Sequence, residues 1–255
     1  MNQTFSFQYK INIPGIKYGF FSREGGLSKD NYSSLNCNLS SNDISSLVKK
    51  NIQLAMNHLN LKEKKLKIPS QIHSNKIQEV NYKNLSTMIQ ADGLITTNKS
   101  IAIGVLTADC APIIIFDINK KFICCLHAGW RGCLLNIAQN SINYYSKYCN
   151  NLNDINVIVG PCLAKNNFEV GLEFKKNFIT KNHDYRKFFL NKNKIKDLFD
   201  MRGLINFQFR EIGINNIFNI NEDTYKNSKK FFSHRRAVHN NQKTTGRMLN
   251  IVSFA

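Results

Sequence analysis

Five short apolar runs fall at residues 76–80, 92–96, 101–106, 112–117 and 121–126, rich in Ile and Val and separated by turn residues. Runs this short and this dense read as strands. INVIV at 155–159 reads as a further buried strand, and residues 17–22, 216–220 and 247–254 are strand-like. Helices are expected over 43–59, 131–148, around 170–180, and over 194–212 with a bend near Gly203. For the first of these, Asp43 is the expected N-cap, and Leu47, Ile52, Ala55, Met56 and Leu59 form its apolar face. Short strands with intervening helices, and no linker or internal repeat, predict a single α/β (α+β) domain with mixed sheets over residues 1–255.

Several classes are excluded by the same reading. No apolar run reaches the roughly 18 residues of a membrane span; the longest, Ile101 to Phe116, is broken by Thr107, Asp109 and Pro112. The N-terminal MNQTFSFQYK lacks a basic start followed by an apolar stretch, so no signal peptide is read and a cytoplasmic protein is expected. Seven cysteines, an odd number without a CxxC, fit free thiols, and adjacent Cys124 and Cys125 would point to opposite faces of a strand. Net charge is +18, but 27 of the 35 basic residues are Lys spread along a chain also rich in Asn and Ile, which reads as an AT-rich codon bias. Arg, the better base and phosphate reader, is scarce, so no nucleic-acid partner is expected; the charge serves instead to attract anionic substrates.

Chemistry concentrates in residues 91–133. Cys110 lies in Thr-Ala-Asp-Cys-Ala-Pro, a polar junction between two buried strands. His127 stands where a strand meets Ala-Gly-Trp-Arg-Gly. There Gly129 and Gly132 permit close backbone approach, a helix starting at Arg131 would offer free N–H groups, and Arg131 adds a fixed cation. His73, in PSQIHSNKI, also sits at an element end. Two imidazoles and one thiolate suit zinc with an open fourth position. The separations of 37 and 17 residues carry no local metal spacing, so a metal-free Cys110 nucleophile activated by His73 or His127 stands beside the zinc reading. Asp109 is a candidate support for the ligand beside it. Arg23 beside Gly25-Gly26, and Arg235, Arg236 and Arg247 near Thr245-Gly246, put half of the eight arginines in two glycine-bearing polar patches suited to oxyanion contacts.

FFSREGGLSKDNYSSLN, QIHS, ADGLIT, LTADCAPI, HAGWRG, GPCLAKNNFEVG and FFSHRR, in that order over nearly the whole chain, resemble the YfiH-like family, long described as multicopper polyphenol oxidase or laccase-domain proteins and later linked to purine nucleoside phosphorylase activity. The resemblance implies a layered α/β/β/α sandwich and a catalytic zinc on His73, Cys110 and His127. It implies phosphorolysis of the small-molecule purine nucleosides adenosine, inosine and S-methyl-5′-thioadenosine, together with adenosine deaminase activity. Phosphate would be positioned by Arg23 and Arg131, and a monomer is expected.

Three positions depart from the family pattern: Ser74 in place of Gly, Leu163-Ala164 in place of Ile-Gly, and a longer stretch between Arg236 and Thr245. Copper-dependent phenol oxidation is the lesser alternative, since the chain has six histidines and no His-x-His pair. A metal-free cysteine hydrolase and a basic RNA-binding protein are the remaining rivals.

Overall fold

The computed structural model describes residues 5–8, 13–149 and 151–255. The reading of the N-terminal MNQTFSFQYK stretch therefore lies partly outside the described residues.

Two large sheets face each other. One has the order β1-β2-β14-β6-β3, formed by Ser6–Phe7, Ile16–Phe21, Met248–Phe254, Ile101–Thr107 and Lys65–Lys67. The other has the order β13-β9-β7-β8-β5-β4, formed by Asn216–Asn219, Ile155–Val159, Ala111–Asp117, Ile123–Ala128, Gly93–Thr96 and Ile77–Glu79. Both mix parallel and antiparallel pairs: β3 runs parallel to β6 and β4 to β5, whereas β7 and β8 are antiparallel.

Strand alternation sorts the side chains into layers. Ile101, Ile103 and Val105 of β6 meet Ile114 and Phe116 of β7 between the sheets, with Phe20 fully buried among them. The opposite face of β7 and β8 carries Ile113, Ile115, Cys124 and Leu126, and it is covered by helices. These are α2 (Trp130–Leu134), α3 (Ile137–Tyr145) and α5 (Met201–Glu211). On the far side, α1 (Ser45–His58) lays Ala55 and Met56 against Phe21, Ala102 and Ile251 of the first sheet. The result is the expected α/β/β/α sandwich in one domain. Cys124 and Cys125 face opposite layers, and all seven cysteines are free.

A third, smaller sheet, β10-β12-β11, joins Glu169–Gly171, Lys196–Phe199 and Phe189–Asn191. It packs against α4 (Leu172–Lys181) through Phe174, Phe178, Phe189 and Phe199.

Three local expectations are corrected. The cap of α1 is Ile44, because Asp43 sits one residue early and its carboxylate accepts from Ile44 N–H and from Asn36. The helix expected over 131–148 is two helices, divided at Asn136, which takes a left-handed conformation (φ 53°) and caps α3. The first part of the expected 194–212 helix is β12; Asp200 then starts α5 by accepting from Gly203 N–H at 2.8 Å, so Gly203 belongs to the first turn and not to a bend.

Candidate metal centre

His73, Cys110 and His127 come from three places that the fold brings together. His73 lies in the loop between β3 and β4. Cys110 lies in the turn that carries the chain from β6 of one sheet to β7 of the other. His127 lies in β8, opposite Pro112. One ligand atom from each falls within 4.8 Å of the others. The two rings stand nearly perpendicular, with centroids 4.9 Å apart. His73 is exposed, Cys110 half-buried and His127 buried, so the cluster opens to one side.

Two of the loops hold non-glycine residues in the left-handed region: His73 at φ 57° and Asp109 at φ 89°. Such backbone is unfavourable by about 1–3 kcal/mol for each residue and persists only where neighbours over-determine it. Here they do. The fully buried Asp92 carboxylate accepts from His73 N–H at 3.0 Å and from Ser74 N–H at 2.6 Å. It also accepts from Ile72 N–H and the Ser74 hydroxyl, and its Oδ1 lies 2.8 Å from Nδ1 of His127. Asp92 therefore fixes the His73 turn and the His127 ring together, leaving Nε2 of His127 for the site. Burial alone would raise the Asp92 pKa, but the hydrogen bonds from His127 and Ser74 hold it below the usual carboxylate range. Asp109 plays the matching part beside Cys110: it accepts from the hydroxyls of Thr224 and Ser233 and from Arg235 N–H. The Gln71 amide ties the His73 loop to β6 by donating to Leu106 O and accepting from Leu106 N–H.

Burial pushes the Cys110 thiol up, yet the His127 charge and hydrogen bonds from His127 and His73 outweigh it and bring the pKa down to about 6. Burial likewise disfavours the His127 imidazolium, but Cys110 and Asp92 raise its pKa to about 9. A thiolate beside an imidazole pair is the donor chemistry zinc prefers. Clearance is built in too. A Cβ on Gly129 would lie 3.0 Å from Cys110 Sγ and 3.4 Å from the His73 ring, and one on Gly132 would lie 3.1 Å from Ser74 O. The residues present fit a metal ion.

The cluster borders two cavities. One, of about 410 Å³, is walled by Trp130, Phe168 and Phe174 and carries Arg131 and Arg235. The other, of about 710 Å³, carries Leu39, Ile68, Met88 and Arg247. His234 borders both. Arg131 is exposed, with its guanidinium 4.3 Å from the Trp130 ring centroid. Helix α2 spans only five residues and begins at Trp130, one residue before the expected start. Arg23 is not brought to the cluster: it lies over Phe232 and borders a third cavity.

Sequence reasoning missed Asp92, Gln71, Thr224 and Ser233 as supports. Only Asp92 left a signal, as an isolated acid between Ala91 and a buried strand.

The family described as multi-copper polyphenol oxidoreductase laccase matches residues 17–255. Among similar proteins, the purine nucleoside phosphorylase RP494 of Rickettsia prowazekii is 34% identical over 74% of this chain and 77% of its own. The purine nucleoside phosphorylase YfiH of Escherichia coli is 27% identical over 91% and 90%. The crystal structure of Neisseria meningitidis NMB0706 shares the fold, with a TM-score of 0.86 at 24% identity over 98% of both chains. Matched by that family over residues 17–255 and 34% identical to one relative over 74% of its length, the chain belongs to the multi-copper polyphenol oxidoreductase laccase family, which includes the YfiH proteins.

Proposed function

We propose that the chain is a zinc-dependent, cytoplasmic purine nucleoside phosphorylase, acting as a monomer on adenosine, inosine and S-methyl-5′-thioadenosine, and that it also deaminates adenosine. The observation that carries the reading is the convergence of His73, Cys110 and His127 at the junction of two cavities. Relatives named purine nucleoside phosphorylase support nucleoside and phosphate as the substrates.

His73, Cys110 and His127 would hold the zinc and leave one position open. Bound there, zinc supplies a Lewis acid and brings the pKa of water toward neutrality, as deamination requires. Asp92 keeps both histidines in place. The aromatic walls of the 410 Å³ cavity suit a purine ring, and its volume lies within the span of small-molecule sites, about 300–1,000 Å³. Arg131, reaching into that cavity from the Trp130 ring, would position phosphate. Copper oxidase chemistry fits less well, since the described residues hold a single cluster of metal-binding geometry. The low Cys110 pKa supports a second reading, a cysteine hydrolase.

Incubation of the purified protein with adenosine, with and without phosphate, separates the readings. Adenine is expected only with phosphate, and inosine without it. Base release that ignores phosphate and persists after metal removal would overturn the proposal.

A further inference from the structure

Arg23 and Arg236, one from each arginine-bearing patch of the sequence, share a cavity of their own, whereas Arg235 and Arg247 border the cavities at the metal centre. Arg23 and Arg236 line a cavity of about 330 Å³ with Asn31, Asn240, Gln242 and Thr245. It shares no lining residue with either cavity at the His/Cys/His cluster.

Both guanidiniums are held by backbone carbonyls. Arg23 donates from Nε to Ser33 O at 2.5 Å and from Nη1 to Ser228 O at 3.2 Å. Arg236 donates from Nη1 to Thr224 O and Tyr225 O, both at 2.7 Å, and from Nη2 to Phe231 O. These bonds fix each planar fork and, among the described residues, leave Nη2 of Arg23 and Nε of Arg236 unspent. Among the described residues, neither arginine pairs with a carboxylate. Asp30 also lines the cavity, and the lining remains net positive. Burial, and then the neighbouring Arg236 charge, bring the Arg23 pKa down to about 10. Burial also lowers the Arg236 pKa, with the more distant Asp109 and Asp223 charges opposing it.

Rigid, partly desolvated guanidinium forks without a carboxylate in ion-pair contact suit a tetrahedral oxyanion. The remaining lining is amide and hydroxyl, which suits a hydroxylated ligand body. We propose that this cavity is a second site, binding a phosphate monoester of a small polyol, the sugar-phosphate class.

The test is calorimetric titration of the full-length protein with ribose 5-phosphate, inorganic phosphate and ribose at fixed ionic strength. Ribose 5-phosphate is expected to bind, inorganic phosphate more weakly, and ribose not at all. Arg23→Gln should weaken the ester by about tenfold, the worth of one charge-assisted hydrogen bond. The titrations are repeated in Arg131→Gln, which removes the phosphate contact proposed for the metal-side cavity, so that the ester binding retained there is the part carried by Arg23 and Arg236. If Arg23→Gln fails to fold, Gln242→Ala and Asn240→Ala, both at exposed positions, should each weaken the ester and spare inorganic phosphate. Three results would overturn the site: no saturable binding of either anion, loss of binding in Arg131→Gln with retention in Arg23→Gln, or equal affinity for phosphate and its ester. Binding in Arg131→Gln is read without turnover and without the metal-side phosphate contact, so the two proposals fail separately.

Discussion

A single buried carboxylate holds both histidines of the candidate metal centre. Asp92 takes three backbone N–H groups and one hydroxyl from the His73 turn, as well as the His127 ring. Asp92→Asn places an amide donor where these donors converge, so it should weaken zinc binding by about 10–100-fold, read by competition with a chelating dye. Ser74→Gly removes one of the two Ser74 bonds and leaves the backbone one, so a smaller loss is expected. Cys110 gives a second test in metal-free protein. Its thiolate fraction should rise with pH through a midpoint of about 6, so iodoacetamide labelling is already near its plateau at neutral pH. Cys37, Cys124, Cys125 and Cys133 are buried with raised pKa values and should stay unlabelled. His73, Cys110 and His127 stood out in the sequence at element ends, in PSQIHSNKI, TADCAP and HAGWRG, and the family resemblance joined them into one centre. The supporting role of Asp92 did not stand out, because its partners lie 18 to 35 residues away, and only the fold brings them to it.

At the scale of elements, strands were more legible than helices. INVIV at 155–159 is a strand to the residue, because its apolar run is uninterrupted. The segment 194–212 misled because KIKDLFD continues the helical apolar spacing; the exchange of hydrogen bonds with β10 and β11 makes it a strand instead. The break between α2 and α3 rests on Asn136, which tolerates its left-handed conformation and accepts from Gln139 N–H. Asn136→Ala loses a cap worth about 1 kcal/mol and adds a left-handed penalty of about 1 kcal/mol. The expected loss is about 2 kcal/mol, seen as a lower urea midpoint at an unchanged m-value. A change within about 0.5 kcal/mol, the range of ordinary surface substitutions, would mean the break is set by packing elsewhere.

For the whole molecule, the turn bearing Cys110 carries the chain from one sheet to the other, joining β6 to β7, and the His73 loop does the same from β3 to β4. His127 reaches the Cys110 turn from β8 of the second sheet, and Asp109 links that turn to the loops at Thr224 and Ser233. A metal ion on these three residues would join segments far apart in sequence, so binding it should stabilise the sandwich as well as the site. Zinc content of the purified protein, measured with its thermal midpoint before and after chelation, tests this most directly. About one zinc per chain is expected, with a lower midpoint after chelation. His73→Ala, Cys110→Ala and His127→Ala should each lose the metal while remaining folded. A wild-type protein that takes up no zinc on reconstitution, or variants that retain it fully, would contradict the three-residue centre.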